Sequence, residues 1–259
     1  MDLGINGRTA IVCGSSRGLG RACATSLARA GCTVVVNGID PTRLAATADT
    51  IARETGARVI PVAGDVTTHE GQDRLLEACP APDILITNAG GPPYRDFREI
   101  DRAAMLAGVT ANMVTPIELI QRTVDGMAER GFGRIVNITS VSVKMPVLGL
   151  DLSSGARAGL TAFLAGVARS VAHANVTINN LLPGFIDTDR FRSGVTANAA
   201  TLGISERDMR ARREEQVPAR RIGTPEEFGE ACAFLCSAQA GYITGQNLLM
   251  DGGLHQAAF

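Results

Sequence analysis

The stretch "TAIVCGSSRGLGRA", residues 9–22, decides how the rest of the chain is read. Its first part, 9–14, is a short apolar run of strand-forming residues. Its last part opens "LGRACATSLARAG" (19–31), apolar at helical spacing and ended by Gly31, a helix terminator. Between them Gly14, Gly18 and Gly20 stand in the spacing GxxxGxG. Glycines permit positive φ and a close approach of backbone to a pyrophosphate. The helix that follows offers unpaired N–H groups and partial positive charge to the same phosphates. The order strand, glycine turn, helix therefore reads as a nucleotide-phosphate loop. A merely structural glycine turn is the alternative.

Outward from this unit the alternation continues. Apolar runs at 32–38, 57–65, 83–90, 133–140, 176–184 and 245–253 read as strands, and helical patterns occupy 43–56, 71–79, 99–130, 154–172 and 225–237. Uniformly apolar strands alternating with helices predict a parallel sheet covered on both faces. With 259 residues and no Pro- or Ser-rich linker, 1–259 reads as one α/β domain. The one long insertion, 188–218, has many charges and few apolar residues, and is expected to form a mobile helical flap over a substrate pocket.

Composition narrows the function. The formal net charge is −1, with 25 Lys and Arg against 26 Asp and Glu, so no basic surplus points to nucleic acid. No apolar run reads as long enough to span a bilayer, and the N-terminus has no signal-peptide pattern, so a cytoplasmic protein without a membrane partner is expected. The six cysteines are scattered through apolar segments and are expected to be buried thiols. His69, His173 and His255 lack ligand spacing, so no metal site is expected.

Several motifs now agree in order. "GDV" (64–66), "TNAGG" (87–91), Asn112 in "VTANMVTP", "GRIVNITS" (133–140) and "NNLLPGFIDTD" (179–189) follow the glycine loop. With that loop they resemble the short-chain dehydrogenase/reductase family, 3-oxoacyl-ACP reductases in particular, almost end to end. The resemblance implies a single Rossmann-type, doubly wound parallel sheet of about seven strands. It implies cofactor contacts from Gly14, Ser16, Arg17, Gly18, Leu19 and Gly20 in the loop, from Asp65 and Val66 near the adenine, and from Asn88, Ala89 and Gly90 after the fourth strand. Pro183, Gly184, Ile186 and Thr188 would lie beside the nicotinamide. It also implies a homotetramer or homodimer built on the long helices near 99–130 and 154–172.

An acidic side chain at the end of the second strand would bind a ribose 2′-OH and repel a 2′-phosphate. Gly38 stands there. Arg17 lies where many NADP-using relatives are basic, Arg43 is near, and Asn37 can donate, so NADP(H) is favoured over NAD(H). Asp40, turned inward, would favour NAD.

The catalytic segment departs from the family. The family's chemistry uses a tyrosine acid, a lysine four residues later and an upstream serine that polarises the substrate oxygen. Ser140 fills the last role. In "LDLSSGARAGL" (150–160), however, Ser153 stands at the tyrosine position and Arg157 at the lysine position. Arg157 keeps a charge that can hold a ribose, but a guanidinium is never a practical proton donor. The proton would then come from Lys144 on the loop after the fifth strand, from Tyr94 in "GGPPY" (which also reads as a substrate wall), or from a water oriented by Ser140 and Ser153. Asp151 is read as a helix cap or a solvent-facing carboxylate. The family's Asn112 completes the expected catalytic set. The expectation is a reductase or dehydrogenase acting on a small ketone, alcohol or 3-oxoacyl substrate. A lyase, isomerase, hydrolase or silent nucleotide-binding protein on the same scaffold is the alternative.

Overall fold

The apolar runs become seven strands, each separated from the next by helix, so all can run the same way. The computed structural model describes residues 2–91 and 94–257. The strands are β1 (Thr9–Val12), β2 (Thr33–Gly38), β3 (Val59–Ala63), β4 (Ile84–Thr87), β5 (Gly133–Ile138), β6 (Val176–Pro183) and β7 (Asn247–Met250). They form one parallel sheet in the order β3-β2-β1-β4-β5-β6-β7, with β1 lying between β2 and β4 in the registers Val12↔Val36 and Val12↔Ile86. This is the doubly wound Rossmann-type sheet. The predicted strands overran at their C-terminal ends because Gly14, Asn88 and Ser140 already leave the sheet as loops.

Alternate residues of each strand feed opposite cores. Val12, Val34, Val36, Ile86 and Val136 pack with Leu27 of α1 (Gly18–Arg29), Leu44 of α2 (Pro41–Thr55) and Phe228 of α9 (Pro225–Cys236). Ile11, Val35, Leu85, Ile135 and Ile178 pack on the other face with Leu75 of α3 (His69–Ala78) and with two long helical units. One unit is α4 (Arg102–Val109), a π turn (Thr110–Val114) and α5 (Thr115–Glu129); the other is α6 (Asp151–Val171). All six cysteines are buried and unbridged. By length and apolar composition the run Arg102–Glu129 does reach what a bilayer span requires, which corrects the reading that no run does. Its Leu119, Ile120, Val124 and Met127 are buried in the second core.

The charge of Arg134 is enclosed in this frame. Arg134 on β5 is 1% exposed. Its guanidinium donates to the carbonyls of Ser237, Gly133 and Asn175 and to Asn175 Oδ1, and stacks 4.4 Å from the Phe132 ring. Those acceptors replace the water that the charge gives up.

The insertion 188–218 folds into α7 (Asp189–Leu202) and α8 (Glu206–Gln216). Val195, Ala199 and Met209 are buried between them, with Phe191 and Ile204 packed alongside. The pair is tied back at Asp187. Arg192 donates to its Oδ1 at 2.8 Å, and both terminal nitrogens of Arg210 donate to its Oδ2 at 3.2 Å.

Candidate active site

The strand order reverses between β1 and β4, and a crevice opens there at the strands' C-terminal ends. Gly14 leaves β1 at φ +55. Asn88, just after β4, donates its side-chain N–H to the Gly14 carbonyl at 3.0 Å. A Cβ on Gly14 would come within 2.8 Å of that amide, and one on Gly20 within 2.3 Å of the Gly14 carbonyl. The turn therefore closes only with glycine at both positions. Arg17 is the N-cap of α1 but makes no side-chain capping bond, whereas Asp40, Thr68, Asp101, Thr188, Ser205 and Thr224 each cap their helix. Among the described residues no capping side chain serves the first-turn N–H groups of α1, which fits a phosphate-bearing ligand on the loop.

Around the loop, Leu19 and Ser16 are half-buried, and Thr47 on α2 donates to the Ser16 carbonyl at 2.9 Å. A Cβ on Gly38 would lie 3.0 Å from Ser16. Asn37 is buried. Its two amide hydrogens go to the carbonyls of Val62 and Gly64, and its oxygen accepts from Gly14 N. This corrects the expectation that Asn37 donates to the nucleotide: it has no N–H left, and it fixes the loop to the sheet instead. Asp40 does not turn inward. It caps α2 through Arg43 N and faces the Arg43 guanidinium at 3.8 Å. Ser16, Arg17, Arg21 and Arg43 line one groove beside the loop. At the end of β3, Asp65 is exposed and accepts from Thr67, Val66 is buried, and Gly90 is exposed past β4.

A cavity of about 260 Å³ lies on the other side of the glycine turn. It gathers many predicted residues from distant segments: Leu19, Asn88, Ala89, Tyr94, Ser140, Ser153, Arg157, Pro183, Gly184, Ile186 and Thr188. Ser140, two residues past β5, is in extended backbone and caps a short 3₁₀ turn, its Oγ accepting from Ser142 N at 3.1 Å. Ser153 and Arg157 sit one turn apart on α6, both buried. Arg157 Nε donates to Ser153 Oγ at 3.1 Å, and Nη1 donates to the Ile138 carbonyl. Burial, then the nearby charge of Arg190, pushes the Arg157 guanidinium down to about 10, which leaves it charged at neutral pH.

Two predicted catalytic residues lie apart from the cavity lining. Lys144 is exposed, follows the 3₁₀ turn that Ser140 caps, and is not among the residues lining the cavity. Asn112 is buried in the π turn, donating to the Gly108 carbonyl at 3.1 Å, and its Oδ1 is buried without a partner. Tyr94 does border the cavity, with 62% of its surface exposed. Asp151 is exposed in the first turn of α6.

The sequence reading missed Arg190, Phe191 and Arg213, which also line the cavity, along with Phe185 and Thr139. The signal was present: Phe191, Val195 and Ala199 are four apart, so one face of α7 is apolar. Surrounding arginines and glutamates hid it.

Comparison with known proteins covers nearly the whole chain. Residues 14–255 match the family model described as enoyl-(acyl carrier protein) reductase. The chain is 33% identical to 3-oxoacyl-(acyl-carrier-protein) reductase FabG of Aquifex aeolicus, over 98% of this chain and 100% of that one. It is also 33% identical to acetoacetyl-CoA reductase of Allochromatium vinosum, covering 95% and 98%. Among solved structures, L-sorbose reductase of Gluconobacter frateurii, complexed with NADPH and L-sorbose, superposes with a TM-score of 0.94 at 29% identity, covering 99% and 100%.

Proposed function

The chain belongs to the short-chain dehydrogenase/reductase family, and from that premise we propose that it is an NADPH-dependent carbonyl reductase whose proton donor is a serine-bound water rather than a tyrosine. The observation that carries this reading is the contact between Arg157 and Ser153 in the cavity that Ser140 also lines. Bound NADPH would supply hydride to a carbonyl carbon.

The side chains supply the rest. Gly14, Gly18 and the uncapped start of α1 receive the pyrophosphate, and Arg17, with Ser16 and Arg43 near it, receives the 2′-phosphate that no acid at Gly38 repels. NADPH-bound L-sorbose reductase supports the choice of phosphate. At the reacting oxygen, Ser153 Oγ already accepts from a guanidinium and Ser140 Oγ from a backbone N–H. Each hydroxyl is thereby turned to donate its own hydrogen outward, and two such donors stabilise a developing alkoxide. The buried Arg157 charge behind Ser153 strengthens that donation. The alkoxide takes its proton from water held by the same pair, and a proton from bulk solvent neutralises the hydroxide left behind. Neither serine needs to ionise.

The test is NADPH oxidation at 340 nm across a panel of ketones and 3-oxoacyl thioesters. Turnover with NADPH and at least tenfold less with NADH is expected. Tight NADPH binding with no turnover on any substrate would overturn the redox reading in favour of a nucleotide-binding or non-redox role. An assembly of two or four copies through the faces of α4, α5 and α6 belongs to the same proposal, checked by light scattering.

A further inference from the structure

We propose that Arg157 is itself a catalytic residue: its Nη2 donates to the oxygen of the reacting carbonyl and meets the negative charge that develops there, in place of serving only to hold a ribose. The inference rests on the reductase reading for the reaction and goes beyond it in assigning the cation that faces the oxyanion.

Arg157 is 8% exposed on α6 and lines the cavity. Two of its nitrogens are taken. Nε donates to Ser153 Oγ at 3.1 Å, and Nη1 donates to the Ile138 carbonyl. Nη2 donates to none of the described residues. The sealed polar atoms without a partner are Asn112 Oδ1 and the hydroxyls of Thr115, Thr139, Ser142 and Thr177; Nη2 is not one of them, and it opens on the cavity. Arg134, also buried, is the contrast: its Nε, Nη1 and Nη2 all donate to oxygens of the protein. A guanidinium is planar, and Nε–H runs parallel to one N–H of Nη2 along the edge away from Cδ. Ser153 Oγ sits on that edge at Nε. An oxygen that accepts the Ser153 hydroxyl hydrogen therefore lies beside Nη2 and receives both bonds.

The charge of Arg157 meets no acid. Both of its acceptors are neutral, and no Asp or Glu lines the cavity among the described residues. Burial pushes the guanidinium down to about 10, which still leaves it charged at neutral pH. Enclosing a cation among neutral groups costs free energy. An alkoxide formed beside it offsets that cost, whereas a neutral ketone does so only weakly. The charge therefore acts on the transition state more than on the bound substrate. The wall nearby is apolar, with Ile138, Val141, Leu150 and Phe185, and a low dielectric strengthens the attraction.

The probe is 4-nitrophenol, whose phenolate oxygen mimics the alkoxide and whose ionisation is read by absorbance without turnover. Full-length protein is loaded with NADP⁺ at a concentration shown beforehand to saturate each variant, so that weaker ribose binding is not mistaken for a lost oxyanion contact. The pKa of the bound phenol should fall by about one unit or more below that of the free phenol. The shift should disappear in Arg157→Gln, with Arg157→Met used in its place where the glutamine variant does not fold. Arg157→Lys keeps a charge at the position and should keep about half of the shift or more. In turnover, Arg157→Gln should lower kcat by about 100-fold or more, with KM for the ketone within about threefold. No shift in the wild type, or an undiminished shift in Arg157→Gln, overturns the inference. So does an equal loss in the glutamine and lysine variants, which would trace the effect to the shape of the pocket. If the shift depends on Arg157 while no ketone oxidises NADPH, the reductase reading falls and the oxyanion site stands. If ketones turn over and the phenol shows no shift, the reverse is true.

Discussion

Ser153 and Arg157 show what one residue position can and cannot inherit. A serine cannot reach as far as a phenol or match its acidity, but with Arg157 Nε on its oxygen it is a well-directed donor. Ser153→Ala removes one hydroxyl donor to the alkoxide. It should lower kcat/KM by about 10- to 100-fold, since a single oriented donor contributes about 1.5–3 kcal/mol to a developing charge, and lower the melting temperature by several degrees, since the buried Arg157 Nε loses its acceptor. Lys144→Ala, on an exposed side chain outside the cavity, should leave kcat/KM within about twofold. A drop of a hundredfold there would restore the lysine as donor. The pH profile separates the possibilities further. The ionisable side chains among the described lining residues are Tyr94 and three arginines. With water as the proton source, kcat/KM should be flat between about pH 6 and pH 8.5. A step inside that range would overturn water as the proton source.

At the scale of the element, helix ends were legible where their chemistry is local. Thr224-x-x-Glu227 is a capping box: Thr224 Oγ1 accepts from Glu227 N at 3.2 Å, and Glu227 Oε2 accepts from Thr224 N at 2.8 Å. Arg221 adds a two-pronged contact at 2.8 and 2.6 Å. Arg221 first, then the Thr224 N–H, holds the Glu227 carboxyl down at about 2, against an ordinary 4.5. A carboxyl lowered on folding stabilises the fold above its unfolded pKa, and loses that contribution as pH falls from about 4.5 towards 2. The gap in urea midpoint between the wild type and Glu227→Gln should therefore be constant from about pH 6 upward. It should shrink below about pH 4.5 and be nearly closed by pH 2. Because the Glu227 side chain is 42% exposed, about 1 M salt should also narrow the gap. The elements that sequence reading undervalued are those whose role depends on distant partners. The run 188–218 reads as a helical flap with few core residues, yet its arginines pair with Asp187 and its Phe191–Val195–Ala199 face packs with Met209. Asn37 looked like a ligand because strand ends so often bind ribose. Its amide is instead taken up by β3, a partner that no local pattern reveals.

Across the whole molecule, the alternation of uniformly apolar strands with helices was enough to predict a covered parallel sheet. Ala10 and Val12 face one core and Ile11 and Cys13 the other, so a strand buried on both faces could be read directly as part of a covered parallel sheet. The reversal between β1 and β4 then brings Gly14 against Asn88, 74 residues away, and places the cleft. What local pattern could not show is which charges meet across that cleft, because Arg17 and Asp189, 3.9 Å apart, come from segments joined only by the fold. A consequence is that nucleotide binding should bear on global stability. A ligand that binds only the folded chain stabilises it by about 2.7 kcal/mol at a hundredfold excess over Kd, and for a domain near this size that raises the melting temperature by roughly 5–10 °C. NADPH at saturating concentration should produce such a shift, and NADH at the same concentration a smaller one. In Arg17→Ala the two shifts should converge, because Arg17 lines the groove beside Ser16 where a 2′-phosphate would lie. Equal shifts for the two nucleotides in the wild type would place the phosphate preference elsewhere. An undiminished NADPH advantage in Arg17→Ala would assign it to Arg43 or Arg21, which line the same groove.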